Sequence, residues 1–245
     1  MNVPNEKQDE LLWDYHQTDN VQNLEIGHPR QDMLFRRIKR LLNDQSRILE
    51  IGFGDGYLLE KLSQKYECYG ADVSEKNVEQ MGKNIPDVKF QAIGVDGILP
   101  YKDDYFNLFV ASEVLEHMTN EELKKCADEM RRILKKNGYA VVTFPARENL
   151  KDSECFCPNC EHVFHKWGHK QYWDDEKIRD IFKDFILLKR EEFFTPYIGK
   201  NLLEKIIGYS MWATRTILCK FVNIPGKTYL VVMKKKMSIR VVFFN

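Results

Sequence analysis

The stretch RILEIGFGDGYLLEKL, Arg47 to Leu62, decides how the chain is read. Ile48, Leu49 and Ile51 make a short apolar run with Glu50 inside it, and the run breaks into glycines at alternate positions, Gly52, Gly54 and Gly56. Tyr57, Leu58, Leu59, Glu60, Lys61 and Leu62 then take up a helical pattern. The order is a buried strand, a tight turn, and a helix whose N-terminus points back at the turn. Glycine tolerates positive φ, and without a Cβ it lets a ligand lie almost on the backbone. The helix start is expected to add unpaired N–H donors and partial positive charge for an anionic or carboxylate-bearing ligand. A dinucleotide fingerprint would need glycine at position 57, where Tyr57 stands.

Glu50-x-Gly52-x-Gly54-x-Gly56 resembles motif I of the class I methyltransferases that use S-adenosylmethionine (SAM). A glycine turn between any strand and helix looks much the same, so the rest of the chain must discriminate. Tyr66 to Ala71 reads as a second strand ending at Asp72, twenty residues after Gly52, where an acid can accept hydrogen bonds from both hydroxyls of a ribose. Capping of the helix SEKNVEQM by Asp72 or Ser74 is the plainer role, and both can hold. A third strand is expected at Val88 to Ile93, before Asp96-Gly97. That pair alone is simply a turn. A fourth, Tyr105 to Ala111, runs into Ser112-Glu113-Val114-Leu115-Glu116-His117, similar to the strand-four signature of ubiquinone-type methyltransferases.

A helix is expected from Asn120 to Lys136, acidic at its start and basic at its end, with Asn137-Gly138 as the stop. YAVVTFP is then strand five, and after an insert come a helix in DDEKIRDIFKDF, a strand from Ile186 to Phe194, a long helix over 199–221 and a last strand in TYLVVMKKK. The resemblance implies a single α/β domain, a Rossmann-like seven-stranded sheet of order 3-2-1-4-5-7-6. The divisions are an N-terminal helical segment (1–45), a SAM-binding core (46–149), a Cys/His insert (150–172), and C-terminal helices and strands (173–245). In the family an N-terminal helical segment often closes over the cofactor, which would engage Trp13, Tyr15 and His16. It also implies that Glu50, Gly52, Gly54, Gly56, Asp72, Val73, Asp96, Gly97, Ser112 and Glu113 bind SAM, with Asp96 on the adenine amino group. Glu113 and His117 are the candidate catalytic residues.

Lysine plus arginine equals aspartate plus glutamate, 37 each, which argues against gripping nucleic acid as the main task. The polar, acidic N-terminus and the lack of a run of ~18 apolar residues point to a cytoplasmic protein. Cys68, Cys126 and Cys219 stand alone and read as small buried side chains.

The insert CFCPNCEHVFHKWGHKQYW holds three of the six cysteines and three of the six histidines. Its pattern C-x2-C-x4-H-x3-H predicts a structural zinc knuckle on Cys157, Cys160, His165 and His169, with Cys155 and His162 as alternates. A histidine there acting as general base is the competing reading. Some bacterial methyltransferases associated with glycan or surface-polysaccharide synthesis carry a similar CPxC…FHxWGH stretch. The C-terminal helix has apolar residues enough to pack on the sheet and also to touch a membrane surface, with Lys200, Lys205, Arg215 and Lys220 at the headgroups.

The expected activity is SAM-dependent methyl transfer to a small-molecule, glycan or lipid-linked acceptor, at oxygen, since strand four lacks the Asn/Asp-Pro-Pro-Tyr/Phe motif of amino-methylating nucleic-acid enzymes. The alternative is an RNA or tRNA methyltransferase, or an RNA-binding relative, stacking bases on Phe156, Phe164, Trp167, Tyr172 and Trp173. The oligomeric state is open.

Overall fold

The computed structural model describes residues 27–94, 97–159, 161–195, 202–218 and 226–236. Trp13, Tyr15, His16, Val95, Asp96, Cys160, Lys200, Cys219 and Lys220, and the side chain of Lys205, lie outside the described residues. The elements are α1 (His28–Ile38), β1 (Arg47–Ile51), α2 (Tyr57–Ser63), β2 (Glu67–Asp72), α3 (Glu75–Asn84), β3 (Val88–Ala92) and β4 (Phe106–Ser112). After them come α4 (Asn120–Ile133), β5 (Leu134–Pro145), β6 (Glu154–Phe156), β7 (Val163–His165), α5 (Asp175–Ile181), β8 (Phe185–Phe193), α6 (Leu202–Leu218) and β9 (Thr228–Lys235).

Seven strands form one sheet in the order β3-β2-β1-β4-β5-β9-β8. β1 to β5 are mutually parallel, and β9 runs antiparallel between β5 and β8. The β6–β7 hairpin of the insert is a separate two-stranded sheet, so the sheet's own strands, counted along the chain, fall in the order 3-2-1-4-5-7-6.

β1 sits near the middle because it can be buried on both faces. Ile48 belongs to the buried cluster that holds Leu34 and Ile38 of α1 and Leu58 and Leu62 of α2, while Leu49 and Ile51 belong to the one that holds Leu123 and Met130 of α4 and Ile178 of α5. Alternation along a strand sends neighbours to opposite faces. Each fully buried side chain of this kind contributes about 1.5–3 kcal/mol.

The helix starts are capped as their sequences allow. Ser74 accepts from Asn77 N, so the serine, and not Asp72, caps α3. Thr119 and Glu122 form a capping box on α4, and Asp174 accepts from Lys177 N on α5. Most strand ends move by a single residue, and the largest difference from expectation is where the helix before β5 stops and β5 begins. α4 ends at Ile133 instead of Lys136, because fully buried Leu134 already pairs with Phe106 in the sheet. Asn137, at φ 63°, and Gly138 therefore lie within β5, where the register against β4 shifts, and do not stop a helix.

Candidate active site

The carboxyl ends of β1, β2 and β4 lie side by side and open into a cavity of about 850 Å3. Gly52, Gly54, Asp72 and Val73 line one end of it, together with Gly97, Ser112 and Glu113. Gly52 and Gly54 have φ of 61° and 56°. A Cβ on Gly52 would lie 2.4 Å from Val114 Cγ2, so the turn after β1 closes tightly against the chain leaving β4.

Two expected cofactor residues are not among those that line the cavity. Gly56 caps α2 in the left-handed region and backs onto Ile85, whose Cδ1 would stand 2.5 Å from an added Cβ. Glu50 is buried in β1 on the α1–α2 side, with Oε2 lacking a hydrogen-bond partner among the described residues. Burial, then the charge of Asp55, pushes its carboxyl well above the usual range, with Arg30 opposing. Neither lines the cavity among the described residues. At the helix start Asp55 Oδ1 accepts from Tyr57 N at 3.2 Å, so the first of its N–H donors is already partnered.

α1 is clasped to the glycine turn. His28 Nε2 lies 2.6 Å from Asp55 Oδ2, and its ring stacks on Tyr57 at 3.8 Å. Tyr57 donates to Asp32, which also pairs with Lys61. Arg30 Nε donates to Ser112 Oγ at 3.3 Å, and its guanidinium lies 3.8 Å from Glu113. Glu113 itself sits at φ 58°, a conformation a non-glycine residue holds only against a cost and typically at functional sites.

At the other end a single 3-10 turn, Leu115–His117, presents Glu116 and His117. Glu116 is wholly buried, and neither carboxylate oxygen has a hydrogen-bond partner among the described residues. Burial and then the neighbouring Glu113 charge push its carboxyl well above the ordinary range. His117 Nδ1 lies 3.3 Å from the Gly168 carbonyl oxygen, and Nε2 is 3.9 Å from Glu116 Oε1. Burial, reinforced by His169, lowers its pKa to about 3, so the ring is neutral.

The insert folds back onto this turn. Lys170 N and Gln171 N donate to the Glu116 carbonyl at 2.7 and 3.1 Å, and Gln171 Nε2 donates to Met118 O at 2.6 Å. This brings His169 and Lys170 to the cavity wall, beside Glu148 from the loop after β5. Glu148 Oε2 is 2.5 Å from His169 Nδ1, and Oε1 is 3.7 Å from His165 Nε2.

The zinc knuckle expected from Cys157, Cys160, His165 and His169 is not what the described residues assemble. His165 and His169 do meet, but with Glu148, and the close ligand-type groups are Glu148–His165–His169 and Glu116–His117–His169. Hairpin register explains the separation. Cys155 pairs with Phe164 and Glu154 with His165, so the cysteine and the histidine take opposite faces. Cys157 lies in the turn closed by its N–H to His162 O, and His162 is exposed. Arg30, Asp55, Glu116, Glu148 and Lys170 are the site residues that sequence reasoning missed. Glu116 alone had a signal, its place in the strand-four signature; the others carry no local pattern.

Residues 49–142 match the family model described as a methyltransferase domain. An uncharacterised protein of Methanocaldococcus jannaschii is 30% identical over 115 residues, 45% of this chain and 46% of that one. An uncharacterised methyltransferase of Exiguobacterium sibiricum is 29% identical over 133 residues, 50% of this chain and 61% of that one. The chain thus spans about half the length of the curated relatives it matches.

Among solved structures, a chain in the complex of the Haloferax volcanii Trm112 methyltransferase activator with a candidate methyltransferase superposes with TM-score 0.66 at 18% identity, covering 92% of this chain and 98% of that one. A SAM-dependent methyltransferase of Methanosarcina mazei gives 0.59 at 14%, covering 82% and 97%. The YcgJ protein of Bacillus subtilis gives 0.58 at 18%, covering 86% and 99%. The chain therefore has the α/β Rossmann-like methyltransferase fold with a seven-stranded mixed sheet, and its residues 49–142 match the methyltransferase domain.

Proposed function

We propose that the chain is a SAM-dependent methyltransferase that methylates an oxygen of a small-molecule or glycan acceptor. One observation carries this reading: the glycine turn after β1, Asp72 at the end of β2 and the Ser112–His117 segment after β4 all open into the same cavity. Its volume lies in the upper part of the ~300–1,000 Å3 usual for small-ligand sites, room for a nucleoside cofactor and an acceptor together.

The residues fit the cofactor. Gly97 has φ 71°, and no described residue comes within 4 Å of an added Cβ, which leaves room for a ligand over its backbone among the described residues. Gly52 and Gly54 would carry the methionine portion. Asp72, oriented by Ser74 N at 3.0 Å, would accept the ribose hydroxyls. Bound SAM supplies a methyl group on a sulfonium, ready for in-line displacement. The chain's part is mainly to hold the acceptor in line. With its pKa near 3, His117 takes up a proton poorly at neutral pH and is a weak base toward a hydroxyl.

Calorimetric titration of the full chain with SAM, followed by transfer of labelled methyl to hydroxyl-bearing small molecules and glycans, tests the reading. Saturable SAM binding with transfer to one such class is expected; no SAM binding would sink it.

The exposed apolar residues Ile206, Ile207, Met211, Ile217 and Leu218 of α6 favour a lipid-linked form of the acceptor. No helix among the described residues is long and apolar enough to cross a membrane. Liposome flotation should therefore show peripheral association, and its absence would remove that refinement. A second reading, RNA methylation, is favoured by the exposed aromatics Phe156, Phe164, Trp167 and Tyr172 around the insert. Salt-sensitive RNA binding lost in Trp167→Ala would bring it forward.

A further inference from the structure

We propose that Glu116, His117 and His169 form a binding site for one divalent first-row transition-metal cation at the acceptor end of the cavity. All three line the cavity, and one ligand-type atom from each lies within 4.8 Å of the others. Two imidazoles and one carboxylate with the remaining coordination directions open are the donor set such cations take.

The surrounding hydrogen bonds decide which ring nitrogens carry the protons. Glu148 Oε2 lies 2.5 Å from His169 Nδ1, which places the proton on Nδ1 and leaves Nε2 with its lone pair. The Gly168 carbonyl can only accept, so His117 Nδ1 donates to it, and Nε2 is again the nitrogen with the lone pair. Carboxylates and backbone carbonyls orient metal-ligating histidines in this way. His165 is different. Its Nδ1 accepts from Trp167 N at 3.3 Å and His169 N at 3.1 Å, so its Nε2 carries the proton and faces Glu148. Glu148 and His165 therefore support the site, and Glu116, His117 and His169 ligate.

Glu116 is the independent observation. Its side chain is 1% exposed, and both oxygens lack a hydrogen-bond partner among the described residues. A buried carboxylate left in that state is costly unless a proton or a cation compensates it. The Glu116–His117 separation of 3.9 Å needs little closure to share an ion. On the methyl-transfer reading above, the open coordination positions would take a hydroxyl or carboxylate oxygen of the acceptor. The cation site itself does not depend on that reading.

The test uses the full chain, stripped with chelator, kept reduced and titrated with Co2+. One equivalent is expected, with visible d–d bands and no thiolate charge-transfer band. Glu116→Gln keeps the shape and takes away the ionisable carboxyl, so it should fold, as thermal unfolding of the metal-free protein will show. It should weaken Co2+ binding by roughly 100-fold or more, and Glu148→Gln by about 10–100-fold. Cys157→Ser should leave the affinity unchanged. Absence of stoichiometric Co2+ uptake would overturn the site. Uptake abolished by Cys157→Ser but retained in Glu116→Gln would also overturn it, in favour of the cysteines. SAM titration of the same metal-free protein separates the two proposals. SAM binding without Co2+ uptake removes the cation site alone, and Co2+ uptake without SAM binding removes the methyltransferase reading alone.

Discussion

Val114 Cγ2 stands 2.4 Å from the place a Cβ on Gly52 would occupy, so the chain leaving β4 is packed directly on the glycine turn that leaves β1. Gly52→Ala meets that contact and a φ of 61° together. The expected loss is about 2–5 kcal/mol of stability, from left-handed strain plus overpacking. Val114→Ala in the same chain should recover the packing part and not the strain. Chemical denaturation of the three variants checks this, and a double variant no more stable than Gly52→Ala would show that Val114 is not the obstacle.

Asp72→Ala removes the carboxylate at the end of β2 while Ser74 still caps α3 through Asn77 N. SAM affinity should fall by more than about tenfold, the scale of a lost charged hydrogen bond. Circular dichroism should show the fold retained. Unchanged SAM affinity by calorimetry would remove Asp72 from the ribose role.

Glu192 accepts hydrogen bonds from Arg147 and Arg190, with Lys227 nearby. Burial alone would raise its pKa, but these cations outweigh it and hold the carboxyl at about 2, against an ordinary 4.5. A depressed folded-state pKa contributes stability above the unfolded value and loses it as pH falls from about 4.5 toward 2. Glu192→Gln should therefore cost about 1–3 kcal/mol at pH 7 and almost nothing near pH 2. Denaturation curves at both pH values test this; a cost independent of pH would count against the charge.

Trp173 is fully buried and stacks on Phe144 of β5 at 3.9 Å, while its carbonyl accepts from Arg147 N at 2.9 Å. It anchors the end of the insert to the sheet. Trp173→Ala should cost about 3–5 kcal/mol, and faster proteolysis of the 148–172 segment should accompany it. A variant of unchanged stability would mean that the insert is held by Gln171 and Lys170 alone.

What the sequence determined by itself was what neighbouring residues can encode. The apolar run before Gly52, the acid at Asp72 and the Ser74 cap each act through spacing along a few residues, and each stands in the folded chain. The alternation of strand and helix patterns showed parallel strands joined by helical crossovers, while the order of the strands in the sheet was implied by the family resemblance and not by the pattern. The boundary of α4 was not legible, because Leu134 joins the sheet through pairing with Phe106 across the fold.

The site divided in the same way. The half of the cavity lined by Gly52, Gly54 and Asp72 is built on one strand–turn–helix unit and the strands beside it, so local glycines and acids announce it. The other half needed the tertiary structure. Glu116 and His117 meet Glu148 and His169 only because Lys170 and Gln171 bind the Glu116 carbonyl and return the insert to the turn after β4. The same hairpin register turns Cys155 away from His165, whatever their spacing suggests. Distance along the chain fixes which residues can cap or turn; which carboxylate faces which imidazole is set by backbone hydrogen bonds between segments that share no local pattern.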